Sequence, residues 1–217
     1  MAKKEKMGMR IGESVFSAGY LLFALIAGII FLCHSSNKLF LLYGIMVLVL
    51  GIGDSFHLVP RIIKNIKGNS KKVTWWMNLG LLVTSITMTI FYVLLFYIWK
   101  IQINRDMPIV SDCFIWLLAI VRIIMCLLPT NNWFAGGNKK MSFMRNYVFL
   151  NLGILEVILF AILGGSYGYA MAICILLSFA FYIPVTLYGK EKPKIGMLMI
   201  PKTIMYIIMI SLGLGLI

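Results

Sequence analysis

Seven apolar runs, each close to 20 residues, divide this chain at about 14–33, 39–60, 76–99, 109–128, 146–165, 168–188 and 197–217. A helix of that length, rising about 1.5 Å per residue, matches the roughly 30 Å hydrocarbon layer of a bilayer. In hydrocarbon the backbone N–H and C=O groups must pair within the protein, so only helices and closed barrels cross it. The runs are continuous rather than alternating, which predicts helices. The expected fold class is therefore all-α, a polytopic membrane bundle of seven transmembrane helices forming a single domain over 1–217. Connections of at most about 17 residues leave no room for a soluble domain. Composition agrees: 12% of residues are charged, against about 25% in soluble domains.

The formal net charge of +13 invites a nucleic-acid reading. Its distribution excludes one, because the basic residues sit in short connections between apolar runs, where they report topology. Fifteen fall on one side: Lys3, Lys4, Lys6, Arg10, Arg61, Lys64, Lys67, Lys71, Lys72, Lys139, Lys140, Arg145, Lys190, Lys192 and Lys194. Three, Lys38, Lys100 and Arg105, fall on the other, and Arg122 and Lys202 lie inside runs. Cytoplasmic connections carry the excess of Lys and Arg, so the expectation is an N-terminus inside and a C-terminus outside, in a multi-pass protein of the cell membrane. That is the reverse of rhodopsin-like receptors. The first run is longer than the apolar core of a cleaved signal and is expected to be a membrane helix. Trp75 and Trp76 are placed at the inner interface, and Tyr97, Trp99 and Trp116 at the outer one, as anchors. Cys33, Cys113, Cys126 and Cys174 form no CxxC pair and are expected to be small buried hydrophobes.

An ionisable residue inside a span is costly and marks a candidate site. In "LGIGDSFHLVPRIIKNIKG" (50–68), Asp54, His57 and Arg61 follow an i, i+3, i+7 spacing on one helical face. Asp54 falls roughly 10 Å above the inner end of its run, by the helical rise. Arg122 lies near the inner end of the fourth run and Glu156 near the middle of the fifth. Ser85, Thr87 and Thr89 come from the third, Ser178 and Tyr182 from the sixth, Lys202 and Tyr206 from the seventh. Most share the inner half of the bilayer, which predicts a polar cavity near the cytoplasmic face.

Each of these residues also has a structural reading. Arg61 and Lys202 reach the headgroups by their long stems, Asp54 pairs with Arg122 or Lys202, and the hydroxyls bond back to their own helix. Glu156, within "LGILEVILF", has no local partner. It must meet a cation from another span, bind something, or stay protonated. The chain carries no HExxH, GxSxG, GxxxxGK[ST] or GxGxxG, and its two histidines, His34 and His57, are too few for a histidine-rich zinc site. No cofactor or metal is expected.

"GIGDSFHLVPR" resembles the Gly-Asp-x-x-x-x-x-Pro-Arg signature of the YhhN-like lysoplasmalogenase family. "NLGLLVTSITMTIFYVLLF" stands where that family has a helix with Gly, apolar residues, Ser and an aromatic end. "ILLSFAFYIPVTLYGKEKPKIGMLMIPKTIMYIIMISLGL" has the layout of its closing helix pair. The chain departs in having seven runs where relatives often have eight. It reads Ser85-Ile86 for Ser-His, and Ser178-Phe179 for Ser-Asp or Ser-Asn. The resemblance implies hydrolysis of the vinyl ether bond of a lysophospholipid. That chemistry needs a general acid and a carboxylate that steadies positive charge or activates water. Asp54, flanked by His57, is placed as the ionised base and Glu156 as the acid. Arg61, Arg122 and Lys202 are placed at the phosphate, with Tyr206, Ser85, Ser178 and Tyr182 completing the substrate-binding set. The expected partners are membrane lipids, and the oligomeric state is left open. The competing classes are a small-solute or proton-coupled transporter, a ligand-binding membrane protein, and a scaffold held by ion pairs.

Overall fold

The computed structural model describes residues 2–104, 109–189 and 192–217. Those residues form seven α-helices and no strand. They are α1 Ala2–Cys33, α2 Lys38–Lys67, α3 Lys71–Ile103, α4 Ile109–Leu127, α5 Lys139–Leu163, α6 Gly165–Tyr188 and α7 Met199–Leu214. Single 3-10 segments lie at Pro129–Asn131 and Pro193–Leu198. Six helical stretches are long and apolar enough to cross a membrane: α1, α2, α3, α5, α6, and α7 taken from Lys194. The chain is thus a multi-pass membrane protein in character. Arg105 and Lys190, two of the basic residues that weigh in the charge asymmetry, lie outside the described residues.

Several helices outrun the apolar runs that announced them. α2 continues through Pro60 to Lys67, and α5 starts at Lys139 rather than near 146. Side-chain caps make these starts possible. Asn37 Oδ1 accepts from Leu39 N, Ser70 Oγ from Val73 N, and Asn138 Oδ1 from Lys140 N and Met141 N. Each satisfies backbone donors that the first turn of a helix leaves open.

Neighbouring helices run in opposite directions, as the cross-helix contacts show. Arg61 near the end of α2 meets Glu13 near the start of α1. Lys100 at the end of α3 donates to both oxygens of Asp112 at the start of α4, at 2.9 and 2.8 Å. α7 packs on α6 and returns to α1 and α2, closing the bundle. One end of the bundle therefore gathers Arg10, Arg61, Lys64, Lys67, Lys71, Lys72, Lys139, Lys140, Arg145, Lys192 and Lys194; we call it the basic end.

The tightest crossing joins α2 and α3. Pro60 has no N–H, so the Phe56 carbonyl one turn earlier loses its helical donor. α3 approaches that carbonyl at Gly80, where an added Cβ would overlap the Phe56 oxygen and the His57 Cα. One turn up, Gly53 meets Thr87, and Thr84 Oγ1 donates to the Gly53 carbonyl at 3.1 Å. Small residues at the contact let the backbones close in, a common device where hydrocarbon gives no hydrophobic drive between helices.

The core is aromatic, with Phe91, Tyr92, Phe96, Trp99, Phe149, Phe160 and Tyr206 buried at its centre. Large apolar side chains such as Leu22, Ile26, Ile120 and Ile173 are exposed, as a lipid-facing surface requires. Trp75 and Trp76 are exposed as anchors should be. Trp99 corrects the expectation: it is fully buried, and its indole N–H donates to the Leu159 carbonyl at 2.6 Å. α5 lies against α3 at that level, so the ring fills the helix interface instead of reaching headgroups. Of the cysteines, Cys126 and Cys174 are buried while Cys33 and Cys113 are exposed, so the expectation of burial holds for two of them.

Gly80→Ala is expected to destabilise the protein by about 1–3 kcal/mol, because the methyl meets backbone rather than a yielding side chain. Gly12, with open space around it, is the control: Gly12→Ala should leave the thermal melt of the purified protein unchanged or raised. Equal melts for the two variants would contradict the close α2–α3 approach.

Candidate functional site

Asp54 is half-buried on α2 and accepts a hydrogen bond from the Tyr20 hydroxyl of α1 at 2.8 Å. Tyr20 itself is buried. The Lys202 ammonium of α7 acts on Asp54 electrostatically, yet the two form no ion pair within 4.0 Å. Among the described residues the ion pairs are Arg61–Glu13 and Lys100–Asp112, so the expected pairing of Asp54 with Arg122 or Lys202 is replaced by the bond from Tyr20.

A groove of about 530 Å³ between α1, α2 and the segment that opens α7 reaches Tyr20, the donor to this carboxylate. Arg10 and the Glu13–Arg61 pair line it. Phe16, Leu58, Met197 and Ile200 give it apolar walls, and Tyr20 belongs to its lining. The groove thus offers charge, apolar surface and, behind one tyrosine, a carboxylate.

Glu156 stands apart from that groove. It is fully buried on the inward stripe of α5 with Phe149, Leu152, Gly153 and Phe160, and neither of its oxygens has a hydrogen-bond partner. Arg122 is equally buried. Its NH1 donates to Thr89 Oγ1 at 2.7 Å, and its guanidinium carbon lies 3.4 Å from the centre of the Phe149 ring. Arg122 forms no ion pair with Glu156.

Hydroxyl groups fill the space between the two carboxylates. Tyr92 lies 3.4 Å from Ser178 Oγ, within hydrogen-bonding reach of Tyr206, and within electrostatic range of both Glu156 and Arg122. Tyr206 in turn feels Asp54 and Tyr20. Lys202 Nζ sits 5.1 Å above the Tyr182 ring and 4.8 Å above that of Tyr206, close enough for cation–π attraction. Tyr182 donates to Asn146 Oδ1 at 2.9 Å.

Of the residues named from sequence, Asp54, Lys202, Tyr206, Ser178, Tyr182, Arg122 and Glu156 are therefore electrostatic neighbours, although Glu156 accepts no hydrogen bond. Three stand aside. Arg61, placed at a phosphate, is held by Glu13. Ser85 donates back to the Leu81 carbonyl at 2.7 Å, its structural reading. His57 reaches the Met77 carbonyl only at 3.5 Å. Tyr20, Glu13, Tyr92 and Asn146 were missed. Tyr20 was open to discovery, because it sits about as far above the basic end of its run as Asp54 does above the end of its own.

No family model matches the chain, and neither a curated protein nor a solved structure matches it.

A buried carboxyl with no partner is destabilising by about 1–3 kcal/mol or more. Glu156→Met keeps volume and removes that load, so the purified variant should melt at or above the wild-type temperature. A fall of several degrees would show that Glu156 holds a stabilising contact.

Proposed function

We propose that the chain is a lipid hydrolase of the YhhN-like lysoplasmalogenase type, with seven spans and the basic end on the cytoplasmic side. α4, with 19 residues, supplies the seventh span; at about 1.5 Å per residue it reaches nearly 30 Å. The orientation rests on the gathering of Lys and Arg at one end of the bundle.

The observation that carries this reading is the groove that reaches Tyr20, whose hydroxyl donates to Asp54. An amphiphile fits it: an anionic headgroup beside Arg10 and Arg61, and a chain along Phe16, Leu58 and Met197. Asp54 is the reacting carboxyl. Its proton goes to the β-carbon of the vinyl ether, leaving an oxocarbenium ion that the carboxylate steadies. Water then adds to the α-carbon, returning a proton to Asp54. The hemiacetal so formed collapses to a fatty aldehyde and the alcohol of the glycerophospho-headgroup. Tyr20 orients the carboxyl. Glu156, away from the groove, takes no part in this scheme, which removes the acid role that the sequence offered it.

The placing of Tyr206 within electrostatic range of Asp54, and of Tyr92 within range of Glu156, favours a second reading, a proton-coupled transporter in which the two carboxylates exchange protons.

The two readings separate in one assay. In phosphatidylcholine nanodiscs, the hydrolase releases aldehyde from a vinyl ether lysophospholipid and none from its saturated alkyl analogue. Asp54→Asn should cut that rate by about 100-fold or more, while Glu156→Gln leaves it within about threefold. Aldehyde release that persists in Asp54→Asn sinks the hydrolase. A wild-type protein that releases none while moving protons across a vesicle wall supports the transporter.

A further inference from the structure

On the outer side of α2, away from the core, two apolar hollows meet. The first, of about 340 Å³, lies between α2 and α3 near the basic end. Phe56, Val59, Ile63, Val73 and Trp76 wall it, with buried Pro60 beneath. The second, of about 210 Å³, lies between α1 and α2 nearer mid-bundle. There Gly51 brings no side chain and Ala24 only a methyl, which opens the space. Ser55 lines both hollows. Its hydroxyl donates to the Ile52 carbonyl at 2.7 Å, so it is satisfied within an apolar wall. From Val47 to Ile63 the two hollows together rise roughly 24 Å along α2. One bilayer leaflet with its headgroup zone is about 20 Å deep.

The basic end of this groove is charged. Lys67 stands one helical turn beyond Ile63 on α2, and Lys72 one turn before Trp76 on α3. By that i, i+4 spacing each lysine continues a wall of the groove. Both are exposed, and Gly68, Asn69 and Ser70 alone separate the two helices. Lys64 and Lys71 stand beside them, so four ammonium groups fall within nine residues and repel one another. No Asp or Glu occurs between Asp54 and Asp106 in the sequence. Among the described residues the ion pairs are Arg61–Glu13 and Lys100–Asp112, and none of these four lysines belongs to one. Trp76 adds an indole at the rim, a group that favours headgroup level.

A soluble anion would leave the apolar hollows unfilled, and a lipid without net charge would leave the lysines unmatched. We propose that this face of α2 holds an anionic phospholipid, with an acyl chain in the hollows that meet at Ser55 and its phosphate at Lys67 and Lys72. The site shares no lining residue with the groove at Tyr20 or with the polar cavity at Arg145, and it does not depend on the hydrolase reading.

The test uses the full chain in nanodiscs of equal parts phosphatidylglycerol and phosphatidylcholine. Native mass spectrometry reads the lipid that stays bound on release into mild detergent. Phosphatidylglycerol should be retained about tenfold over phosphatidylcholine. Lys72→Glu should cut that preference about tenfold or more. Lys72 lies in the exposed first turn of α3, where an acidic residue is well tolerated. Ser55→Phe, which fills the junction and keeps every lysine, should reduce retention as much. Lys192→Glu, an exposed charge on another connection, should leave retention within about threefold. A phosphatidylglycerol carrying a diazirine in mid-chain should label the wild-type protein along Leu48–Trp76 of α2 and α3, a measurement that needs no variant. Equal retention of the two lipids, an equal loss in Lys192→Glu, or labelling that falls elsewhere overturns the proposal.

Discussion

Hydrocarbon cannot hydrogen-bond, and the structure is organised around that deficit. Backbone groups meet it by helix formation, and side chains meet it by finding each other across helices. The requirement reaches even the α2–α3 crossing. Pro60 strips the Phe56 carbonyl of its donor, and α3 comes close at Gly80, the residue that permits it. That crossing fixes the register of α2 against α3 within one turn of Asp54. Tyr20 from α1 then supplies the proton donor that Asp54 needs.

The same requirement sorts the polar residues into two kinds. Many are satisfied by short bonds within their own helix or across to a neighbour, as Ser85 is by Leu81 and Trp99 by Leu159. A few are buried with their capacity unmet. Glu156 has two oxygens without partners, and Arg122 has an unpaired Nε beside a single bond to Thr89. Charged groups buried in that condition are costly, so they are where a ligand or a proton would make the largest difference. The groove at Asp54 and the cavity at Arg145 differ from them in being open to an occupant. The basic end thus carries two distinct polar openings, one lined by Glu13 and Arg61 and one by Arg145.

Sequence reasoning placed Asp54, Arg122, Lys202, Tyr206 and Tyr182 at similar depth, and depth was legible because residues in a straight helix advance by a constant rise. It also gave Lys100 and Asp112 to the same side. Partners were less legible. The Arg61–Glu13 pair was not legible, because a lone Glu13 in another run gives no signal about which face of α1 it occupies. Trp99 was given to the interface, because aromatic residues near a run's end look alike whether they face lipid or a neighbouring helix. Cys33 and Cys113 fail for the same reason, since an apolar run has little polar periodicity to reveal its buried face.

By itself, the sequence determined that the chain is helical, that it is membrane-embedded, and that its basic residues gather at one end of the bundle. Those follow from run length, hydrophobicity and the alternation of direction that short connections impose. Only the tertiary structure decided that Asp54 bonds to Tyr20 of a groove wall, that Glu156 is buried away from that groove, and that Arg145 is fixed on Trp133 and Asn131. The physical reason is rotation. Each helix can turn about its axis without changing its hydropathy profile, so azimuth, and with it every contact between helices, is set by packing.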